Sequence, residues 1–393
     1  MLRRLHVDNY KCLAGFDAHF DEFNLLIGEN GSGKSAVMDV LYAVRGLLRG
    51  GSKLTATDIF PSSTLTRWRQ DRRQTIEMDV ELPAPMMQYL VVPEGGHWGL
   101  AQGASNEQEV LRYRLEIEHD ARQDRARLIS ETLHGGQVPL FSFLGGEVQL
   151  YRDDKSKGPA YTADWSESAL ARVPHREDNR RLGGFVDFVS GMVLASIMPS
   201  VIRAHSERDH DQLERSATNF VDWYRHVVQE HPKHVGPYEE ALRNAISGFA
   251  GIRLEKSGTK TRDCMIDIDS GHRRYSVRLD EMSDGQRALV VLYGLLLLGG
   301  EQPRFLMVDE PENFLALAEI QPWLNLLQDS CGPRRFQAML CSHHPHLVDL
   351  VSSYAGLVLR RDSEGRTQCA RPDAEMFESG VPYSELIARG WDG

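Results

Sequence analysis

The chain has 393 residues, 41% hydrophobic and 26% charged, which is material for a sizeable core and excludes a fibrous, low-complexity or disordered protein. Its 45 Lys and Arg against 56 Asp and Glu leave a formal charge of −11, which excludes coating a nucleic acid by bulk charge and confines any such surface to a local patch. Cys12, Cys264, Cys331, Cys341 and Cys369 make no CxxC pair and no regular spacing, so neither a disulfide framework nor a zinc knuckle is indicated and a reducing cytoplasm fits.

The opening run MLRRLHVDNY lacks the apolar stretch and small-residue cleavage site of a signal peptide. Apolar bursts at Leu5 and Val7, at Phe16, Ala18 and Phe20, and at Phe23 with Leu25 to Ile27 predict three strands in quick succession. The third runs into the loop GENGSGKS, and the spacing of Val37, Val40, Leu41, Val44, Leu47 and Leu48 predicts a helix over Ala36 to Leu48, closed by Gly50 and Gly51. Alternation over Thr75 to Leu82, Val110 to Glu118 and Arg125 to Leu133 predicts further antiparallel sheet, which makes 1–134 a β-rich lobe.

From 135 to 215 turn-prone and charged residues accumulate around one predicted helix, Phe185 to Ile197. This stretch reads as an insertion, helical or irregular. Residues 216–393 resume a regular pattern: helices over Ala217 to Glu230 and Tyr238 to Phe249, then a hairpin of Cys264 to Ile268 with Tyr275 to Leu279. The most apolar run, Ala288 to Gly300, is too short for a bilayer and suits a buried helix, so no membrane span is expected.

Three segments carry chemistry. Gly28, Gly33, Lys34 and Ser35 satisfy the GxxxxGK[ST] spacing, in which backbone amides of Asn30, Gly31, Ser32 and Gly33 wrap nucleotide phosphates, Lys34 neutralises the β and γ phosphates and Ser35 ligates Mg2+. Phe305 to Val308 reads as a buried parallel strand that delivers Asp309, to hold Mg2+ through water, and Glu310, to polarise the attacking water. Ser283, Asp284, Gly285 and Gln286 open the apolar helix Ala288 to Leu298, with Ser283 as its N-cap and free amides behind it, a second anion site.

The ordered set GENGSGKS, MSDGQR, FLMVDEPEN and SHHP resembles the ABC-type ATPase heads of the SMC, RecF and OLD-like group, over the first 50 residues and from about 217 to 350. The resemblance implies an α/β fold, an ABC-type P-loop ATPase head with a parallel-sheet core behind the β-rich lobe and a mainly helical insertion. It further implies ATP and Mg2+ as cofactors and an ATP sandwich. In that arrangement two heads form a homodimer, or part of a higher homo-oligomer, in which Ser283 to Gln286 of one copy meet the γ phosphate held by the Lys34 loop of the other. In the same comparison His343 occupies the position that senses the γ phosphate, with Arg287 and the segment Glu312 to Asn313 also carried over. Leu315, Ala316 and Leu317 depart from the Leu-His-Pro step of many relatives, and no Mg-sensing glutamine is placed.

OLD-like relatives often append a metal-dependent Toprim nuclease. Only residues 346–393 follow Pro345, fewer than the roughly 100 such a domain needs, so none is expected. Asp267 and Asp269 read as a solvated hairpin face rather than a metal pair, and His343 with His346 lacks the further ligands of a zinc site. The clusters Arg67 to Arg73, Arg122 to Arg127 and Arg176 to Arg181 read as solvated surface, with Trp68 available to stack a base. Trp165 and Trp223 read as packing residues. The expected function is an ATP-hydrolysing head that dimerises on ATP and controls a separate effector, a nuclease or toxin, in bacterial anti-phage defence. The alternative is a RecF-like ATP-dependent DNA-binding or repair protein, with nucleic acid as a partner.

Overall fold

The computed structural model describes residues 1–54, 59–82, 109–120, 125–299, 304–332, 336–373, 376–377 and 381–389. Strands β1 (Leu2–Asp8), β2 (Phe16–His19) and β3 (Phe23–Ile27) lead into helix α1 (Lys34–Leu48). Six strands follow: β4 (Arg73–Leu82), β5 (Glu109–Asp120), β6 (Arg125–Gly135), β7 (Val138–Leu144), β8 (Glu147–Tyr151) and β9 (Lys157–Thr162). The middle of the chain holds α2 (Arg180–Ser190), β10 (Val193–Ala195), β11 (His205–Ser206), α3 (Phe220–Glu230), α4 (Val235–Ala245), β12 (Phe249–Lys256), β13 (Arg262–Asp269) and β14 (Arg274–Arg278). The remainder is α5 (Asp284–Leu297), β15 (Arg304–Asp309), α6 (Leu317–Ser330), β16 (Phe336–Ser342), α7 (Pro345–Ala355), β17 (Gly356–Arg361), β18 (Thr367–Ala370) and α8 (Tyr383–Ala388).

These elements make three sheets. An eight-stranded antiparallel sheet runs in the order β2-β1-β4-β5-β6-β7-β8-β9, a six-stranded sheet β10-β15-β16-β3-β17-β18, and a smaller one β11-β13-β12 with β14 on β13. In the six-stranded sheet β10, β15, β16, β3 and β17 are parallel, and β18 turns back antiparallel. Because successive side chains of a strand face opposite ways, this sheet feeds two cores. Leu26, Met307, Met339, Cys341 and Leu359 pack with α1, α2 and the antiparallel sheet. Leu25, Ile27, Leu306, Val308 and Leu340 pack with α3 to α7 and the small sheet. Phe305, Leu306, Met307 and Val308 are each at most 1% exposed, and burial of each contributes about 1.5–3 kcal/mol. This run is therefore held rigidly, and it ends at Asp309.

The stretch 135–215, predicted to be a helical or irregular insertion, departs from that expectation. Its first part continues the antiparallel sheet as β7, β8 and β9, paired in succession onto β6. The helix predicted over Phe185 to Ile197 ends at Ser190, and Val193–Ala195 instead forms the parallel edge strand beside β15. Gly191 closes the helix, and the apolar residues beyond it satisfy the sheet. Trp223 is buried as expected, whereas Trp165 is largely exposed. Arg122 of the second basic cluster lies outside the described residues.

One buried carboxylate ties the stretch after β9 to the lobe. Glu131 on β6 is fully buried and accepts from Tyr113 Oη at 2.9 Å, Ser168 Oγ at 2.6 Å and the backbone amides of Ala169 and Leu170 at 3.1 and 3.2 Å. Burial pushes its carboxyl above the usual range, and these donors pull it back down. Replacing it with Ala strands several buried donors, so Glu131→Ala is expected to cost about 3 kcal/mol. Urea denaturation checks this through a lower midpoint at unchanged slope, and an unchanged midpoint would contradict it.

Candidate functional site

The loop between β3 and α1 is shaped by its glycines. Gly33 has φ 118°, a conformation that residues with a Cβ avoid, and a Cβ there would lie 2.6 Å from Thr367 Oγ1. At Gly28 an added Cβ would meet the Leu359 carbonyl and Ser32 Oγ, both at 2.5 Å. The loop is thus pressed against strand β17 and the start of β18, which leaves its inner face open at the N-terminus of α1. Lys34 is only 6% exposed, and its ammonium donates to the carbonyls of Gly28 at 2.5 Å and Glu29 at 3.1 Å. Burial lowers its pKa, opposed by the neighbouring Cys341 thiol and the carboxylates of Asp309 and Glu310. A buried ammonium bonded only to carbonyls at a helix N-terminus suits an incoming anion.

A cavity of about 540 Å3 joins this loop to the end of β15. Asn30, Gly31, Gly33, Lys34, Ser35, Asp309 and Glu310 all line it. Ser35 is exposed to it, and Asp309 is raised above the usual carboxylate range by burial and by the adjacent Glu310, with Arg215 and Lys34 pulling it back. A hydroxyl and a carboxylate under negative strain form a hard oxygen donor set, which fits Mg2+.

Glu310 sits at the turn after the strand with φ 49°, a strained value for a residue with a side chain. Its amide donates to the Cys341 carbonyl at 2.8 Å, and Asn313 Nδ2 donates to its Oε2 at 2.8 Å. His343 Nδ1 lies 2.8 Å from Oε1. Both carboxylate oxygens are therefore held. His344 instead caps α7 and faces the ring of His346 at 5.6 Å between centroids. Glu312 is buried against Ser342 Oγ, and burial raises its carboxyl.

Ser283, Asp284, Gly285 and Gln286 do not line this cavity. Ser283 caps α5: its Oγ accepts from the Gln286 amide at 3.2 Å, and Gln286 Oε1 accepts from the Ser283 amide at 3.2 Å. Ser283 is exposed, and Arg287 is turned inward onto Asp284 and the Pro199 carbonyl. At Gly285 an added Cβ would lie 2.8 Å from the carbonyl of Phe314, which has φ 72° and is 57% exposed. The capped helix and the loop after Glu310 thus share one exposed face. Asp267 and Asp269 point to the hairpin surface, paired with Arg253 and Arg274.

Several residues at the site escaped the sequence reading. Asp39, one turn beyond Ser35 on α1, binds both Lys11 and Arg215, the latter at 2.5 Å. Helical spacing of four from Ser35 was the available signal for it. Lys11, Arg215 and Arg361 come from distant segments with no local pattern, and Arg67, read as part of a solvated cluster, lines the cavity.

The chain is similar to known proteins in sequence and in fold. The AAA ATPase domain family matches residues 1–80. An OLD nuclease from Thermus scotoductus (strain ATCC 700910 / SA-01) is 22% identical over 386 residues, covering 93% of this chain. The chain spans 63% of the length of that relative. A solved SMC head bound to the C-winged helix domain of ScpA superimposes with a TM-score of 0.55 at 14% identity, covering 96% of this chain and 99% of that one. Among the described residues no helix is long and apolar enough to cross a membrane. With its parallel core sheet and antiparallel lobe, the chain carries the fold of that SMC head.

Proposed function

We propose that this chain binds and hydrolyses ATP with Mg2+, that two copies close around the nucleotide, and that the cycle controls a separate effector. The observation that carries the reading is the single cavity in which Lys34 and Ser35 face Asp309 and Glu310, with Glu310 clamped by His343 and Asn313. Amides of residues 30 to 33 and the Lys34 ammonium bind the phosphate oxygens, exchanging the loop carbonyls for the ligand. Ser35 and Asp309 hold the Mg2+, which supplies charge neutralisation of the β and γ phosphates. Glu310 orients a water and takes its proton as the water oxygen bonds to the γ phosphorus. The bond to the bridging oxygen breaks, and ADP and phosphate result. His343, exposed beside Glu310, senses the γ phosphate.

Ser283 and the amides of Asp284 and Gly285 supply the anion hole for the partner copy's γ phosphate. The exposure of Ser283 and the position of all three off the chain's own cavity support a contribution in trans. The effector is proposed to be a nuclease or toxin of an anti-phage system. The name of the Thermus relative, an OLD nuclease longer than this chain, supports the nuclease half of the reading. The ScpA-bound SMC head supports a head of this fold as a docking platform for another protein.

The test is sedimentation of the Glu310→Gln protein with MgATP, with and without Ser283→Arg. A long cation at position 283 blocks the close approach of the capped helix to the opposing phosphate, so the dimer is expected to be lost while ATP binding to the monomer persists. Normal dimerisation of the double variant would remove the sandwich.

A further inference from the structure

Trp68 sits in the RWRQDRR cluster, where sequence context offered a solvated surface or a nucleic-acid contact. In the structure it lines the same cavity as Lys34 and Glu310. That cavity combines two chemistries. Part of its wall is the phosphate-shaped loop with its lysine and the two carboxylates, against which Cys12 and Arg361 sit. The rest of the wall includes Leu65 and Trp68, with Arg67 as a local cation.

The indole is 47% exposed, and among the described residues no ring or cation stacks on it. One edge rests near Gly365, where an added Cβ would lie 3.8 Å from the ring. Gly365 belongs to the turn of the β17–β18 hairpin, and that hairpin is fastened to the phosphate loop. Arg361 Nε donates to the Gly31 carbonyl at 2.7 Å, and Thr367 Oγ1 donates to the Ser32 carbonyl at 2.8 Å. One hairpin therefore props the aromatic ring and grips the anion cradle, which ties the two together. A flat uncovered aromatic face and an anion cradle lining one cavity match a nucleotide, with a π-surface for the base and charge for the phosphates.

We infer that Trp68 is the nucleobase platform of this site: the base of the bound nucleotide stacks on its indole while the phosphates reach the Lys34 loop. The inference rests on the ATPase reading above and adds how the base is recognised. A stray single-stranded nucleic acid would use the same ring face, but the shared wall with Lys34 favours the mononucleotide.

The test compares MgATP with magnesium tripolyphosphate, which carries the phosphates without a base, by calorimetric titration of the full chain. Trp68→Ala is expected to weaken ATP by roughly tenfold or more, the scale of a base–aromatic stack, and to leave tripolyphosphate affinity unchanged. Retained tripolyphosphate binding shows in the same experiment that the variant is folded. Trp68→Phe keeps most of the ATP affinity, and the quenching of tryptophan emission by ATP in the parent chain disappears in that variant. Equal weakening of both ligands, no change in ATP, or a loss of single-stranded DNA affinity with ATP affinity intact would each overturn the platform while the ATPase reading stands. Binding of neither ligand by the parent chain would sink both.

Discussion

Glu310→Gln is expected to bind ATP at least as well as the parent chain and to release phosphate about 10²–10⁴-fold more slowly, the usual span for removing a general base. Binding survives because Lys34, Ser35 and the loop amides are untouched and one negative charge near the triphosphate is gone. The amide keeps the shape of the side chain, and its oxygen still accepts from His343 or Asn313, which hold the carboxylate at 2.8 Å in the parent. Turnover then fails for want of a proton acceptor rather than for want of order. On the proposed reading, in which hydrolysis opens the dimer, the variant is expected to accumulate as an ATP-bound dimer. Single-turnover phosphate release and sedimentation read the two halves separately. Phosphate release at the parent rate would remove Glu310 from the chemistry.

Lys34→Ala is expected to weaken ATP by about 100-fold or more. The lysine is buried at 6% exposure, and it stands to make two charge-assisted hydrogen bonds to phosphate oxygens at about 1.5–3 kcal/mol each. Some of that is offset because the ammonium gives up the Gly28 and Glu29 carbonyls when the ligand arrives. The fold is expected to tolerate the change, since those two carbonyls can turn to water in the open cavity. Calorimetric titration measures the loss. Binding within a few fold of the parent would show that the amides alone hold the phosphates.

The part of this molecule that was legible in the sequence is the part built from local rules. GENGSGKS fixes its own loop because Gly33 must adopt a φ of 118° and a helix must start at Lys34. Phe305 to Val308 has no polar interruption, so it reads as a strand buried on both faces, and Asp309 and Glu310 fall at its end. Ser283 with Gln286 three residues on spells a capping box, which the structure contains. The strands of β7 to β9 were missed because they are short and broken by Gly145, Gly146 and the run Asp153 to Ser156. Their outermost member, β9, also has almost no buried face to give it a period. At Val193 to Ala195 three residues of edge strand are too few to show any period, so the apolar spacing carried the predicted helix too far. Trp68 lines the Lys34 cavity, Arg361 reaches Gly31 and Arg215 reaches Asp39 on α1 only through the tertiary fold, and no spacing along the chain announces that. The pairing of β3 between β16 and β17 is what sets His343 and the β17–β18 hairpin on either side of the loop.

The central claim is that each catalytic pocket draws its residues from two copies, and mixing two inactive proteins tests it most directly. Lys34→Ala fails at the loop that grips the phosphates, and Ser283→Arg fails at the helix that covers them. In a mixed dimer one pocket collects both lesions and the other collects neither. An equimolar mixture is expected to recover turnover that neither protein shows alone, because only a mixed pair contains an intact pocket. A mixture that stays as inactive as either protein alone, at concentrations where the parent dimerises with ATP, would contradict it.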